Sequence, residues 1–172
     1  MEKILKDSKG ETIDLVVDHE LQGVTPEMID WWWDHIDSSE RYKLWHPDAH
    51  KSFEWEVSPK QGHVGAIQRI EENIGVPTKL RIRWEDPNQS PIPIEYSHAL
   101  VGSTLDQDNE PMTWLLHEYE EIENGTKFRT IFRLPARVPK PFIEALRKHS
   151  IEEISEFANF LPKLYEQNKD SD

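Results

Sequence analysis

The spacing of apolar residues changes period several times along the chain, and each change predicts an element. In TIDLVVDH, Thr12 to His19, β-branched and apolar residues stand between polar ends and predict a short strand. From Thr25 the period lengthens. Met28, Ile29, Trp32, Trp33 and Ile36 recur at three- and four-residue steps, one face of a helix from Pro26 to about Ile36 with Trp31 on its rim. Thr25 is the expected N-cap, Pro26 fits the first helical position, and Glu27 places negative charge in the first turn. Ser38 and Ser39 mark the cap of a second short helix over SSERYKLW.

After Gly65 the texture becomes that of strands. GAIQRIEENIG, KLRIRWEDP with Leu80, Ile82 and Trp84 alternating, and PIEYSHALVG are separated by Gly, Pro or Asn turns. MTWLLHEYEEIENGTKFRTIFRLP then sets Asn124-Gly125 between two alternating runs, the signature of a hairpin, for a run of about five antiparallel strands. Pro141 to Tyr165 returns to helical period, with Phe142, Leu146, Phe157, Phe160, Leu161 and Leu164 on one arc. Pro162 is expected to kink this helix or to open its final turn. Strands in a run followed by one long helix predict an α+β helix-grip fold, START-like and birch-allergen-like. A curved antiparallel sheet wraps the C-terminal helix and leaves a cavity between. No repeat or linker divides residues 1–172, so one domain is expected.

One position breaks the apolar stripe of the last helix. Glu153 lies between the bearings of Phe160 and Leu164, Glu152 points to the solvated side, and Glu156 falls just past the edge. An unpaired buried carboxylate costs several kcal/mol or gives up its charge, so Glu153 needs compensation. His149, one turn earlier on the same side, offers two readings: an i,i+4 ion pair, or half of a chelate whose remaining ligands come from across the cavity. The segment YKLWHPDAHKSF gathers His46, Asp48 and His50 around Pro47, where the histidines either bond backbone in a turn or ligate; of these, His50 is the best nitrogen donor to a shared ion. From the sheet, Ile70 and Glu72 share a face that Glu71 does not, which favours Glu72 as the carboxylate. His117 and Glu121 cannot chelate together, because four strand residues span about 13 Å.

Composition narrows the chemistry. The 172-residue chain has no Cys, so any metal rests on His and carboxylates. A formal charge of −13 without a basic stripe argues against nucleic acid. No stretch of 18 apolar residues or cleavable leader is legible, and a cytoplasmic protein without a membrane partner is expected. Seven Trp are an excess suited to a pocket or interface.

TPEMIDWWWDHI, YKLWHPDAH, LLHEYEEIENGTKFRTIFRLP and HSIEEISEFANFLPKLY together resemble the diacetylphloroglucinol hydrolases, zinc enzymes that hydrolyse a carbon–carbon bond between an aromatic ring and an acetyl group. The resemblance implies Zn²⁺ held by His50, Glu72, His149 and Glu153 in a helix-grip cavity. It also implies Tyr42 as the active-site tyrosine and His117 as a pocket histidine. Two positions depart from the family: Phe53 and Phe132 stand where it has an Asn and a Tyr, which predicts a less oxygenated substrate. The chain is also shorter than the namesake enzyme, so a lid or partner surface is expected to be missing.

The function expected on this basis is a zinc-dependent hydrolase of an acylated aromatic or diketone-like small molecule. Tyr42 would stabilise an oxyanion or protonate the leaving carbanion, with His117 as the alternative donor, and Trp33 and Phe132 would wall the aryl group. A non-catalytic START-like binder of a hydrophobic small molecule is the competing reading, and self-association as a homodimer stands open.

Overall fold

The computed structural model describes residues 1–60 and 62–170. Its elements are α1 (Glu2–Ser8), β1 (Thr12–Gln22), α2 (Pro26–His35), α3 (Ser39–Trp45), β2 (His50–Val57), β3 (Ile67–Asn73), β4 (Pro77–Glu85), β5 (His98–Leu105), β6 (Pro111–Ile122), β7 (Gly125–Pro135) and α4 (Lys140–Asn168). The strands form one seven-stranded sheet in the order β1-β7-β6-β5-β4-β3-β2, antiparallel at every pairing. Helices α2 and α3 connect its two edge strands. Helix α4 packs on β1, α2 and α3, its stripe of Leu146, Phe157 and Leu161 buried as expected and Glu153 buried among them. This is the helix-grip arrangement.

Local chemistry accounts for the helix starts. The Thr25 side chain accepts from the Met28 amide at 3.3 Å, and that of Ser38 accepts from the Arg41 amide at 3.3 Å, each satisfying a donor that has no partner inside its helix. Helix α4 continues unbroken through Pro162 to Asn168. Trp31, expected on the rim of α2, is buried as well: it stacks on His35 and meets Tyr165 of α4 edge-on.

The strand pattern departs from expectation in three places. β2 was not expected, because a register shift between His50 and Ser52 hides its two-residue period. β5 starts only at His98, since Pro91 and Pro93 cannot donate to a ladder. In the last hairpin the turn residues are Glu123 and Asn124, with Asn124 at φ 63°, and Gly125 already belongs to β7. Glycine is needed there for a different reason: a Cβ at 125 would collide with the main-chain oxygen of Leu21 on β1.

No helix among the described residues is long and apolar enough to cross a membrane.

Candidate functional site

The turn after α3 delivers the first site residue. His46 closes it, its carbonyl accepting from His50 N at 2.9 Å and its Nδ1 from Ala49 N at 3.2 Å. The bulge that follows lets His50 and Phe53 both point inward although they are three residues apart, and it sets His50 directly opposite Glu72 on β3. On β3, Gln68, Ile70 and Glu72 alternate onto the buried face. From α4, His149 and Glu153 approach from the other side, one helical turn apart.

Four side chains from three distant segments therefore converge. His50 Nε2 lies 3.4 Å from His149 Nε2, 3.5 Å from Glu72 Oε2 and 3.4 Å from Glu153 Oε2. His149 Nε2 lies 3.5 Å from each of the same two carboxylate oxygens. Both triangles, His50–His149–Glu72 and His50–His149–Glu153, have edges of the length that ligands impose on one another: donors about 2.1 Å from a zinc ion in tetrahedral geometry stand ~3.4 Å apart. All four groups are buried, at 1 to 7% exposure. Acting as ligands, two carboxylates and two neutral imidazoles would sum to a double negative charge, which a divalent cation would cancel. The buried His50, Glu72 and His149 can hold a metal ion, and the donor chemistry, N and O without sulfur, fits zinc.

Tyr42 supports this cluster twice. Its carbonyl accepts from His50 Nδ1 at 2.9 Å; a carbonyl can only accept, so Nδ1 carries a proton and Nε2 is the nitrogen turned toward the cluster. Its hydroxyl donates to Glu72 Oε2 at 2.6 Å, and its ring stacks on His50 with centroids 3.8 Å apart. Burial, with Glu72 beside it, pushes the phenol well above its usual range.

The carboxylates act on their neighbours as a site that calls for positive charge. Burial disfavours an imidazolium at His149, but hydrogen bonds donated to Glu153 and Glu72 outweigh it and push His149 up to about 10. Burial acts to raise Glu153, yet its bonds to His149 and His50 hold it well below the usual carboxylate range. The ring of His149 also stacks on His46, whose Nε2 lies 2.9 Å from the half-exposed Glu152. Sequence reasoning missed this supporting pair; the signal available was the solvent-facing acid next to Glu153.

The cluster opens on a cavity of about 320 Å³ between sheet and helix, at the low end for small-molecule sites. Trp33, Tyr42, His117 and Phe132 line it, with Glu72, His149 and Glu153. Phe53 does not. It packs behind Tyr42 with ring centroids 5.8 Å apart. His117 stacks on Trp33 at 5.5 Å and bonds Thr130 Oγ1 through Nδ1 at 3.0 Å. Burial lowers it to about 4, so near neutral pH it is an uncharged hydrogen-bonding group.

Comparisons with known proteins bear on the family and the fold. The model of the DAPG hydrolase PhiG domain matches residues 9–144, a span that holds Tyr42, His50, Glu72 and His117 and stops short of His149 and Glu153. The phloretin hydrolase of Eubacterium ramulus is 27% identical over 184 residues, covering 88% of this chain and 66% of that protein, so the chain spans just under two thirds of its relative. Among solved structures, Ara h 8.0201 superposes with a TM-score of 0.60 at 11% identity, covering 88% of this chain and 98% of that one. A protein from Nitrosomonas europaea gives 0.52 at 16% identity, covering 91% of this chain and 96% of its own. These structural likenesses carry the fold alone.

Proposed function

The chain belongs to the DAPG hydrolase family, and from that premise we propose that it is a zinc-dependent hydrolase that cleaves the carbon–carbon bond between an aromatic ring and an acyl group. The names of the family and of the phloretin-hydrolysing relative point to phenolic ketones as the substrate class. The observation that carries the reading is the set of five separations of 3.4–3.5 Å joining His50, His149, Glu72 and Glu153 at the wall of an apolar cavity. We assign all four as metal ligands.

In the reaction, water oxygen bonds to the acyl carbon, the ring-to-acyl bond breaks, and the ring carbon takes up a proton; the products are an arene and a carboxylic acid. His50, Glu72, His149 and Glu153 would hold a zinc ion, which would supply a Lewis acid and a water of pKa about 7 where one carboxylate gives way to that water. The chain's own groups do the rest. Trp33 and Phe132 hold the aryl ring and exclude bulk water. The hydroxyl of Tyr42, which gives its one proton to Glu72 at rest, would turn from that carboxylate to donate to the developing oxyanion or to protonate the leaving ring carbon. His117, neutral at working pH, orients substrate oxygen rather than acting as the acid.

The test is metal analysis of protein prepared without chelator, together with hydrolysis of acylphenols. One equivalent of zinc and release of a carboxylic acid are expected. Zinc far below one equivalent removes the proposed catalyst and leaves a hydrophobic binder, the reading favoured by the apolar Phe132 wall. His149→Ala is expected to abolish both metal content and turnover.

A further inference from the structure

Gln68 lines the same cavity as Glu72, from the same face of β3, four residues away. At the rise of a strand that places it about 13 Å from the metal-ligating end. It is buried to 6% exposure, and its Oε1 accepts from the indole Nε1 of Trp84 at 3.1 Å. An indole N–H can only donate, so this bond fixes which way the carboxamide points. Its NH₂ group is left with two donors and no acceptor among the described residues, in a cavity whose wall is otherwise largely apolar. A donor held in one orientation and left unpaired is a recognition element, because a ligand that supplies the acceptor gains a hydrogen bond that a ligand without one forfeits.

We propose that Gln68 is a specificity-determining residue that binds an acceptor oxygen at the far end of an elongated substrate, with Trp84 as its positioning partner. This rests on the functional reading above and adds the substrate's shape: an aryl ketone whose reactive carbonyl sits at the cluster while an ether, carbonyl or phenolic oxygen lies about 10 Å or more along β3. A single-ring methyl ketone would leave the amide unanswered.

The experiment uses two-ring aryl ketones that differ only in a terminal methoxy or ethyl group. Binding to the full chain is followed by tryptophan fluorescence, and hydrolysis is followed separately in the zinc-loaded protein. The methoxy compound is expected to bind roughly tenfold tighter, the size of one buried hydrogen bond. In Gln68→Glu an oxygen replaces the amide nitrogen while an acceptor for Trp84 is kept. That variant should lose the preference for methoxy and tolerate a terminal hydroxyl, which can donate to the carboxylate; Gln68→Leu should level all three ligands. Equal binding of methoxy and ethyl compounds to the unaltered protein, or an unchanged ratio in Gln68→Glu, overturns the assignment and leaves Gln68 as a structural partner of Trp84. Methoxy-selective binding without hydrolysis would sustain the role of Gln68 and count against the hydrolase reading.

Discussion

Tyr42 and Glu72, thirty residues apart in sequence, are joined by a 2.6 Å hydrogen bond from phenol to carboxylate, while the main chain of the same tyrosine fixes the ring of His50. Groups that hold ligands in place typically contribute 10- to 100-fold in metal affinity or activity. Tyr42→Phe keeps the carbonyl that orients His50 and removes the hydroxyl. We expect zinc affinity to fall by about tenfold, measured by competition with a chromogenic chelator, with a larger loss in kcat. An unchanged affinity would show that the hydroxyl does not support Glu72.

Metal and folding should be coupled. With free zinc at 100 times its Kd, stability rises by about 2.7 kcal/mol, several degrees in Tm for a chain of this size. EDTA should remove that increment. In His149→Ala and Glu153→Gln the Tm should be the same with zinc and with EDTA, and a retained zinc-dependent rise would exclude the residue concerned from the site.

The histidine on β6 gives stability a pH dependence whose sign follows from its environment. Burial holds His117 at about 4 in the folded protein, against an ordinary value of 6.5. Below pH 6.5 the unfolded chain takes up a proton that the folded one refuses until about pH 4, so stability present above 6.5 is lost as the pH falls. Between pH 7.5 and 5 this amounts to on the order of 2 kcal/mol. His117→Gln, which can still bond Thr130, should flatten the decline of the urea midpoint in metal-free protein over that interval. Parallel declines in the two proteins would refute it.

Gly125 tolerates no side chain because β1 passes over it at Leu21. Gly125→Ala should destabilise by about 1–3 kcal/mol, the usual range for overpacking, with the loss read from the denaturant midpoint. A neutral result would mean that β1 yields without penalty.

The acid in the stripe of α4 was legible because a helix projects its residues at fixed angles, so Glu153 could be placed among Leu146, Phe157 and Leu161 from spacing alone. His50 was legible as a donor by residue type, whereas the strand it begins was not: the bulge after it puts His50 and Phe53 on one face, and two-residue alternation does not survive such an insertion. The hairpin was anticipated one residue late, since Asn-Gly reads as a pair of turn residues while Gly125 answers to a neighbouring strand that sequence proximity does not reveal. Tyr42 and His117 were flagged by resemblance. Their contacts with Glu72 and Thr130 cross 30 and 13 residues, and no local pattern encodes such pairings. Gln68 was within reach, two steps before Ile70 on the face already assigned to Glu72.

Helix α4 rests on β1, α2 and α3, while His50 and Glu72 belong to β2 and β3 at the far edge of the sheet. The four converging side chains therefore bridge the seam between the helix and that edge, and a shared cation would work as a clasp across it. With the cation removed, only the contacts of His50 and His149 with the two carboxylates are left to hold the seam, and the helix is expected to loosen there first. Amide exchange around residues 146–154 should quicken on chelation while β6 and β7 stay protected. Entry to the cavity would then be governed by whether an ion is held at that seam.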